Sequence, residues 1–202
     1  ATDSPYLSVF DCNQNLFEGN YPANMWGLDY MQFIDLGLNA FTGTIADTIC
    51  DSPYLYEVNI NVNQFHGSIP NTIGNCPEMY YINLYLNYIT GTLPESIGDL
   101  SDLSFLFMSN NELTGTMPES YAALPYLTQM DFDHNHLTGT FPSVVTGWYY
   151  LEEININSNM FTGTLPYDVS QLPYLKVLLV ADNNLHGRLD SIVNSTVQTE
   201  LS

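Results

Sequence analysis

Basic residues are almost absent from this chain. Two lysine and arginine residues stand against 22 aspartate and glutamate residues, which gives a formal net charge of −20 at pH 7. Nucleic-acid binding needs a cationic footprint, and adhesion to an anionic membrane surface needs basic residues too. The composition excludes both. It suits a cationic partner, divalent ions or a salty milieu, and equally a solubilising negative shell.

Long apolar runs are also missing. No stretch of 18 consecutive apolar residues occurs, whereas a helix that spans a bilayer needs about 20. We therefore expect no membrane insertion. The chain carries no signal peptide and begins at Ala1 without an initiator methionine, as a processed or excised chain would begin.

The chain instead has a period of 24 residues. Positions in a repeat are numbered here from an asparagine that recurs eight times, with a glycine always at +4. The asparagines are Asn15, Asn39, Asn63, Asn87, Asn111, Asn135, Asn159 and Asn183. A short fixed period is the signature of a solenoid, in which each repeat packs only on its neighbours. Function then lies in rows of side chains displayed along a surface.

Each repeat contains the pattern of one buried strand. Positions −5 and −3 are apolar in all eight repeats, as in Leu106 and Met108. Alternation of period two predicts a half-buried strand, and identical repeats predict parallel stacking of these strands. The asparagine should point inward at the strand end, where its amide can bond to backbone groups as a buried ladder.

The pattern continues after the asparagine. Apolar residues at +2, +6 and +10 close the core, as in Leu113, Met117 and Tyr121. Glycine at +4 permits a tight bend, and in most repeats a proline at +7, such as Pro118, starts the return segment.

This unit resembles the plant-type leucine-rich repeat. The stretch from Leu100 to Pro118 fits it well through Leu103, Leu106, Asn111, Leu113, Thr114 and Gly115. The resemblance implies a right-handed solenoid, an α/β repeat fold that is mostly β. A parallel sheet would line its concave side, 3₁₀ or irregular turns its convex side, and a second, smaller sheet would form near Thr-Gly. We expect residues 1–202 to be one domain of eight coils with partial repeats at both ends.

The resemblance also implies a function. Receptor ectodomains and polygalacturonase-inhibitor-like proteins share this repeat, which suggests a secreted or extracellular, non-catalytic recognition or scaffold module that contacts protein or carbohydrate. The predicted contact residues lie on the concave face: Asp35, Asn59, Asn83, Tyr85, Phe107, Asp131, Asp133 and Asn155. Strand positions that face solvent are often polar without binding anything. The pattern therefore leaves open both a binding surface and an ordinary solvent-exposed face.

Two groups of residues are candidates for reactive sites. Asp131, Asp133, His134 and His136 form the densest polar cluster, with oxygen and imidazole groups of the kind that bind divalent metals. Nothing in the spacing dictates a ligand geometry, so a solvated acidic patch is favoured and no metal or cofactor is predicted. Asp11 and Asp35 could imitate a glycosidase carboxylate pair. No nucleophile motif or phosphate loop accompanies them, and we predict that the chain is not an enzyme.

A second surface is rich in threonine. Positions +3 and +5 flank the glycine and should point outward together. The predicted threonine grid comprises Thr42, Thr44, Thr90, Thr92, Thr114, Thr116, Thr138, Thr140, Thr162 and Thr164. Threonine suits a short exposed strand, but a flat uncharged grid on so acidic a protein also resembles the ice-binding face of some antifreeze proteins. The alternative function is therefore ice binding. Packing against another molecule and O-linked glycosylation stay open as well.

The cysteines and the tail allow weaker predictions. Cys12 occupies a core strand position and should be a buried thiol. Cys50 and Cys76 lie 26 residues apart, about one repeat, a spacing that is compatible with a disulfide and with two free thiols. Asn194 begins a single glycosylation sequon.

Both ends of the solenoid raise the question of capping. The plant family's N-terminal cap with its paired cysteines is missing, so that Tyr6, Leu7 and Phe10 stand near an open strand edge. The polar tail, residues 191–202, is a candidate partial cap. Either the chain is a piece of a longer protein, or a neighbour docks on the uncapped end. Repeated end-to-end docking would build a filament.

Overall fold

The protein is a solenoid built from two parallel sheets of eight strands each, in a computed structural model that describes residues 4 and 6–188. Odd-numbered strands form the first sheet: β1 (Val9–Asp11), β3 (Phe33–Asp35), β5 (Glu57–Asn59), β7 (Tyr81–Asn83), β9 (Phe105–Phe107), β11 (Gln129–Asp131), β13 (Glu153–Asn155) and β15 (Val177–Leu179). Even-numbered strands form the second: β2 (Glu18–Asn20), β4 (Ala40–Gly43), β6 (Gln64–Ser68), β8 (Tyr88–Thr92), β10 (Glu112–Thr116), β12 (His136–Thr140), β14 (Met160–Gly163) and β16 (Asn184–Leu185). The predicted mostly β repeat solenoid is confirmed.

The return side of the coils consists of short 3₁₀ helices and turns. The 3₁₀ helices span Ala23–Met25, Asn71–Asn75, Glu95–Asp99, Glu119–Ala123 and Tyr167–Gln171. Each begins directly after a proline, which occupies the N-cap position with an extended backbone (ψ of 121° to 145°), a conformation that the fixed φ of proline fits. Within the described residues, no helix is long and apolar enough to cross a bilayer.

The core lies between the sheets and the return segments. Position −5 and −3 side chains such as Leu106 and Met108 are fully buried, as are Leu113 at +2 and Tyr121 at +10. The Tyr121 hydroxyl donates to the carbonyl oxygen of Pro94 in the preceding coil at 3.0 Å. Neighbouring coils are therefore joined by polar contacts as well as by apolar packing.

The asparagine column forms the predicted hydrogen-bonded ladder, which is buried in the five central repeats, whereas Asn39 and Asn183 are half-buried and Asn15 is exposed. Asn111 shows its geometry: the Nδ2 donates to the carbonyl oxygens of Met108 in its own coil and Leu84 in the preceding coil, at 3.2 and 2.9 Å. Its Oδ1 accepts from the backbone N–H of Ile89 at 3.0 Å. The Nδ2 also lies 3.3 Å from the carbonyl oxygen of Ser109. One amide therefore bonds to four backbone groups of two coils, in a buried position where each unpaired group would cost about 1–3 kcal/mol.

The ladder accompanies a backbone feature that the repeat pattern does not reveal. The residue before every asparagine has a positive φ between 49° and 57°, although its side chain varies from Leu38 and Val62 to His134 and Ser158. Leucine and valine rarely adopt this left-handed conformation. We infer that the amide bonds of the asparagine hold the turn in place whatever side chain precedes it.

The two sheets differ in register. In the first sheet, residues 24 apart are partners, such as Met130 and Leu106. In the second, partners are 22 apart, so Thr116 at +5 lies beside Thr138 at +3 of the next coil. The threonines therefore pair along diagonals of the predicted grid.

Glycine at +4 is required on two counts. Gly115 has a φ of +79°, and a Cβ placed there would lie 2.9 Å from the Cγ2 methyl of Thr92. The methyl group of each +5 threonine thus covers the glycine of the next coil. Threonine at +5 has a packing role that the sequence pattern alone did not show.

We expect a double-mutant cycle to separate these two causes. Gly115→Ala should lower the free energy of unfolding by about 2 kcal/mol, roughly half from the positive φ and half from the contact with Thr92. In a Thr92→Ala background the same change should cost only about 1 kcal/mol, because the methyl is gone. Gly43→Ala is the matched control, since its nearest neighbours would lie at an ordinary 3.8 Å. Urea unfolding measures all variants, and equal costs in both backgrounds would contradict the packing role.

Candidate functional site

The exposed side of the first sheet contains the predicted contact residues. We call the side chains at positions −6, −4 and −2 the first-sheet face. At −4, an aspartate or asparagine Oδ1 accepts from the backbone N–H two residues later, at 2.9–3.2 Å, in Asp35, Asn59, Asn83, Asp131 and Asn155. Such turns are a local preference of these two residue types. These side chains are thus fixed in place. In Asp35, Asn59, Asn83 and Asp131 the second oxygen or the amide nitrogen is bonded to a neighbouring side chain as well.

The N-terminal part of this face is a network of carboxylates and amides. Asp11 and Asp35 are strand partners, and the Asn13 amide donates to both, at 2.8 and 3.3 Å. Asn59 donates to Asp35 as well, at 3.2 Å. Burial, followed by the charge of Asp35, raises the pKa of Glu57. Negative charge is concentrated here, but an amide bridges the carboxylates, so they do not flank an open cleft.

The centre of the face is aromatic. Ring centroids lie 5.9 Å apart for Tyr81 and Phe105, 5.8 Å for Tyr81 and Phe107, and 6.2 Å for Phe105 and Phe107. Tyr85 is partly exposed beside them, whereas the predicted contact residue Asn83 is buried. Tyr81 and Phe105 belong to position −6, which the sequence analysis missed. The period-two alternation was the available signal, because −6 shares a face with −4.

The cluster from Asp131 to His136 is divided between the two sheets. Asp131 ends β11, whereas His136 begins β12 of the second sheet. His134 Nδ1 lies 2.8 Å from Asp133 Oδ1, without the alignment of a hydrogen bond. Ser109 donates to the second oxygen of Asp131 at 2.9 Å. In the described part of the chain, no three or more His, Cys, Asp and Glu side chains come together as a metal site.

The threonine rows are accessible on the second sheet. At +3, the hydroxyls of Thr114, Thr138 and Thr162 each donate to a glycine carbonyl of the preceding coil at 3.2 Å. At +5, the side chains are exposed in Thr44, Thr92, Thr116, Thr140 and Thr164. The hydroxyl protons of these three +3 threonines are therefore engaged with the backbone, whereas the Thr42 hydroxyl donates to the Asn20 side chain at 2.6 Å.

The remaining predicted residues lie at the ends and on the return side. Cys50 and Cys76 form a disulfide with an S–S distance of 1.96 Å. Cys12 is a free thiol that is only partly buried, and burial raises its pKa. Asn194 and the tail from 191 to 202 lie outside the described residues.

The first coils of the described residues contain an apolar cavity. A cavity of about 300 Å³ is lined by Phe10, Cys12, Phe17, Tyr21, Pro22, Met25 and Phe41. The buried Tyr21 hydroxyl has no hydrogen-bond partner among the described residues, and burial raises the pKa of this phenol well above its ordinary value.

Comparison with known proteins supports the architecture. A family model described as Leucine Rich Repeat matches residues 102–124 and 150–172, and no curated protein matches the chain. The plant peptide hormone receptor RGFR1, solved in complex with RGF2, is similar over 93% of this chain and 30% of its own, with 29% identity and a TM-score of 0.89. A TDR receptor is similar over 91% of this chain and 32% of its own, with 31% identity and a TM-score of 0.87.

A third similar structure is a plant ice-binding protein. It covers 91% of this chain and 66% of its own, with 22% identity and a TM-score of 0.69, which at this identity shows a shared fold alone. The chain spans about a third of the length of the two receptor structures, at 30% and 32%.

Asp131 provides a test of the electrostatics of the face. Burial raises the pKa of its carboxyl. Because the pKa of this carboxyl is higher in the folded than in the unfolded state, ionisation of Asp131 lowers the free energy of unfolding at higher pH. The loss disappears below the unfolded-state pKa of about 4, where the carboxyl is protonated in both states. Asn59 and Asn155 show that asparagine makes the same turn. Asp131→Asn should therefore raise the free energy of unfolding at pH 7.

Urea unfolding across a pH series from about 3 to 7 measures this difference. The advantage of Asp131→Asn over the parent should shrink steadily as the pH falls. Asp47→Asn, which alters an exposed aspartate on the return side, is the control for the loss of one charge and should show little pH-dependent change. An Asp131→Asn variant that is less stable than the parent at pH 7 would contradict the assignment.

Proposed function

Since this chain is a leucine-rich repeat protein of the plant type that resembles receptor ectodomains, we propose that it is a non-catalytic extracellular recognition module that binds a protein ligand through its first-sheet face. The observation that carries the proposal is the aromatic centre of that face, formed by Tyr81, Phe105 and Phe107. Aromatic groups grouped at the middle of a surface, with polar residues around them, are the usual composition of a protein-binding surface.

Preorganisation supports the same function. The −4 aspartates and asparagines are held by backbone hydrogen bonds, as in Asp35 and Asn155. The face rests on eight strands in one register, so a ligand would meet side chains that are already ordered and would pay little entropy for fixing them. Similarity to a receptor solved with a peptide hormone fits a protein or peptide ligand.

The charge of the face suggests how a ligand is recruited. Asp11, Asp35 and Glu57 lie together at the N-terminal part of the first sheet, in a chain with a formal net charge of −20. A field of one sign accelerates association with an oppositely charged partner and weakens with salt. We propose a ligand with basic groups on the side that meets this part of the face.

Site-specific photo-crosslinking tests the proposal. Benzoylphenylalanine at position 107 should give one discrete adduct with an extracellular protein of the source organism, whereas the same group at Tyr88, exposed on the second sheet, should not. With the identified partner purified, Phe107→Ala should weaken binding at least about tenfold. Tyr88→Ala should change it less than about twofold. Equal adducts at both positions, or no loss in Phe107→Ala, would sink the proposal.

A second candidate function is ice binding through the threonine rows. The observation in its favour is the line of exposed +5 threonines, such as Thr92, Thr116 and Thr140, which repeat once per coil, or about every 4.8 Å. Their methyl groups pack on the glycine of the next coil. This packing explains why a methyl-bearing residue occupies +5, but it does not explain why that residue also exposes a hydroxyl. The fold shared with a plant ice-binding protein is compatible with this function.

Thermal hysteresis decides this second candidate. If the rows bind ice, the parent shows hysteresis, and Thr92→Lys, Thr116→Lys and Thr140→Lys should each remove most of it, because a charged side chain disrupts the flat surface. Thr146→Lys, an exposed threonine on the return side, should keep the parent's value. A parent without hysteresis refutes ice binding.

End-to-end self-association stays a proposal as well. The apolar cavity around Phe10, Phe17 and Phe41 and the unpaired Tyr21 hydroxyl support it, while mutual repulsion opposes it at low ionic strength. Light scattering across a salt series measures it, and a monomer at high salt would argue against the filament.

A further inference from the structure

A column of tyrosines runs along the flank of the first sheet. Position −9 is tyrosine in six of the eight repeats: Tyr6, Tyr30, Tyr54, Tyr126, Tyr150 and Tyr174. Their side chains are 44–79% exposed. A row of solvent-exposed tyrosines is suited to contact a partner, since each side chain combines an apolar ring with a polar hydroxyl. Neither the core nor the first-sheet face uses this column.

The rings stack from coil to coil. Tyr126 and Tyr150 have centroids 6.0 Å apart and planes 20° apart, and Tyr150 and Tyr174 have 6.0 Å and 18°. Tyr30 and Tyr54 stack in the same way at 6.4 Å and 6°. Between the two stacks, position −9 is Glu78 and then Asp102. Tyr126 therefore turns one face to Tyr150 and the other to the coil of Asp102.

A groove of about 460 Å³ lies along this column. The stacked Tyr126, Tyr150 and Tyr174 form one wall, and Ser104, Thr128 and Glu152 at position −7 form the other, with Asp102 at one end. It spans four coils, or roughly 14 Å at the strand spacing, which is the length of about four residues of extended chain.

The chemistry of the groove is dominated by acceptors. Thr128 Oγ1 donates to the Tyr126 carbonyl at 3.2 Å and Ser104 Oγ to that of Asp102 at 3.4 Å, so these hydroxyls offer lone pairs to the groove. Carboxylates and aromatic faces add negative potential. Arginine and lysine side chains carry donors only, together with the charge that this wall attracts.

The chain itself supplies a cation at one end. Lys176 Nζ lies 2.7 Å from Glu152 Oε2, so the Glu152 carboxylate already holds an ammonium group. Asp102 is different: within the described residues, no side chain donates a hydrogen bond to its carboxylate. The Asp102 carboxylate and the Tyr126 face that is turned away from Tyr150 both line the same end of the groove.

We propose that this groove binds an extended, arginine- or lysine-bearing segment of a partner protein, with one cation seated between the free face of Tyr126 and the carboxylate of Asp102. A cation over an aromatic ring and a charge-assisted hydrogen bond to a carboxylate stabilise the same side chain from two sides. The site lies on the flank of the first sheet and does not depend on the function proposed for the first-sheet face.

Fluorescence anisotropy with a labelled Gly-Arg-Gly-Arg-Gly-Arg peptide tests this inference at physiological salt. The parent should bind it, and the same peptide with citrulline in place of arginine, which has the same shape and no charge, should bind at least about tenfold more weakly. Asp102→Asn and Tyr126→Leu should each weaken binding about three- to tenfold. Both residues are exposed, and a thermal melt of each variant verifies that it folds.

Matched controls separate a site from a general charge effect. Asp47→Asn removes the same charge from the return side, and Tyr88→Leu removes an exposed tyrosine from the second sheet; both should stay within about twofold of the parent. Equal losses in Asp102→Asn and Asp47→Asn, or equal affinity for the citrulline peptide, overturn the proposal. Binding of cellohexaose that Tyr126→Leu abolishes, in a protein that ignores the arginine peptide, would assign the groove to a glycan and overturn it as well.

Discussion

The side-chain amide of the repeated asparagine is the interaction on which the rest of the structure depends. From Asn39 to Asn183, each amide donates within its own coil and to the preceding coil, and accepts from a backbone N–H of that preceding coil, as Asn111 does with Met108, Leu84 and Ile89. It ties neighbouring coils at the point where the chain leaves the first sheet. The left-handed residue before it is tolerated because these bonds over-determine the turn.

Because this turn is the same in every coil, successive coils are equally spaced. Residues at the same repeat position therefore align in a column along the solenoid. Columns are the only extended features that such a fold can display, since each coil contacts its neighbours alone. Three displayed sets result: the first-sheet face with its aromatic centre, the threonine rows of the second sheet, and the tyrosine column of the flank. A single substitution in a column changes one element of a row, whereas a change in the ladder disturbs every row above and below it.

The negative charge of the chain gives the first-sheet face and the flank groove the same preference for cationic groups. With 22 acidic and two basic residues, the chain presents carboxylates near both the first-sheet face and the flank groove. Where the carboxylates are fixed by neighbours, as Asp35 is by Asn13 and Asn59, they provide a field. Asp102, whose carboxylate accepts no hydrogen bond from another side chain within residues 6–188, lies at the proposed cation site of the flank groove. The disulfide between Cys50 and Cys76 fits an oxidising compartment, in agreement with an extracellular module.

The sequence by itself determined the solenoid, its period, the buried columns, the asparagine ladder and the first strand of each repeat, because apolar residues alternate with period two and recur every 24 residues. The second strand was expected only from the resemblance to the plant-type repeat. The sequence also indicated which residues flank the glycine. Only the tertiary structure decided how neighbouring columns meet: the register of 22 in the second sheet, the methyl of Thr92 over Gly115, the burial of Asn83 and the stacking of the flank tyrosines. The reason is physical. Periodicity indicates which way a side chain points relative to the core. Contacts between coils depend instead on the lateral offset and rotation of one coil relative to the next. Backbone turns set both, and at turns such as the left-handed residue before each asparagine no side-chain preference marks the conformation.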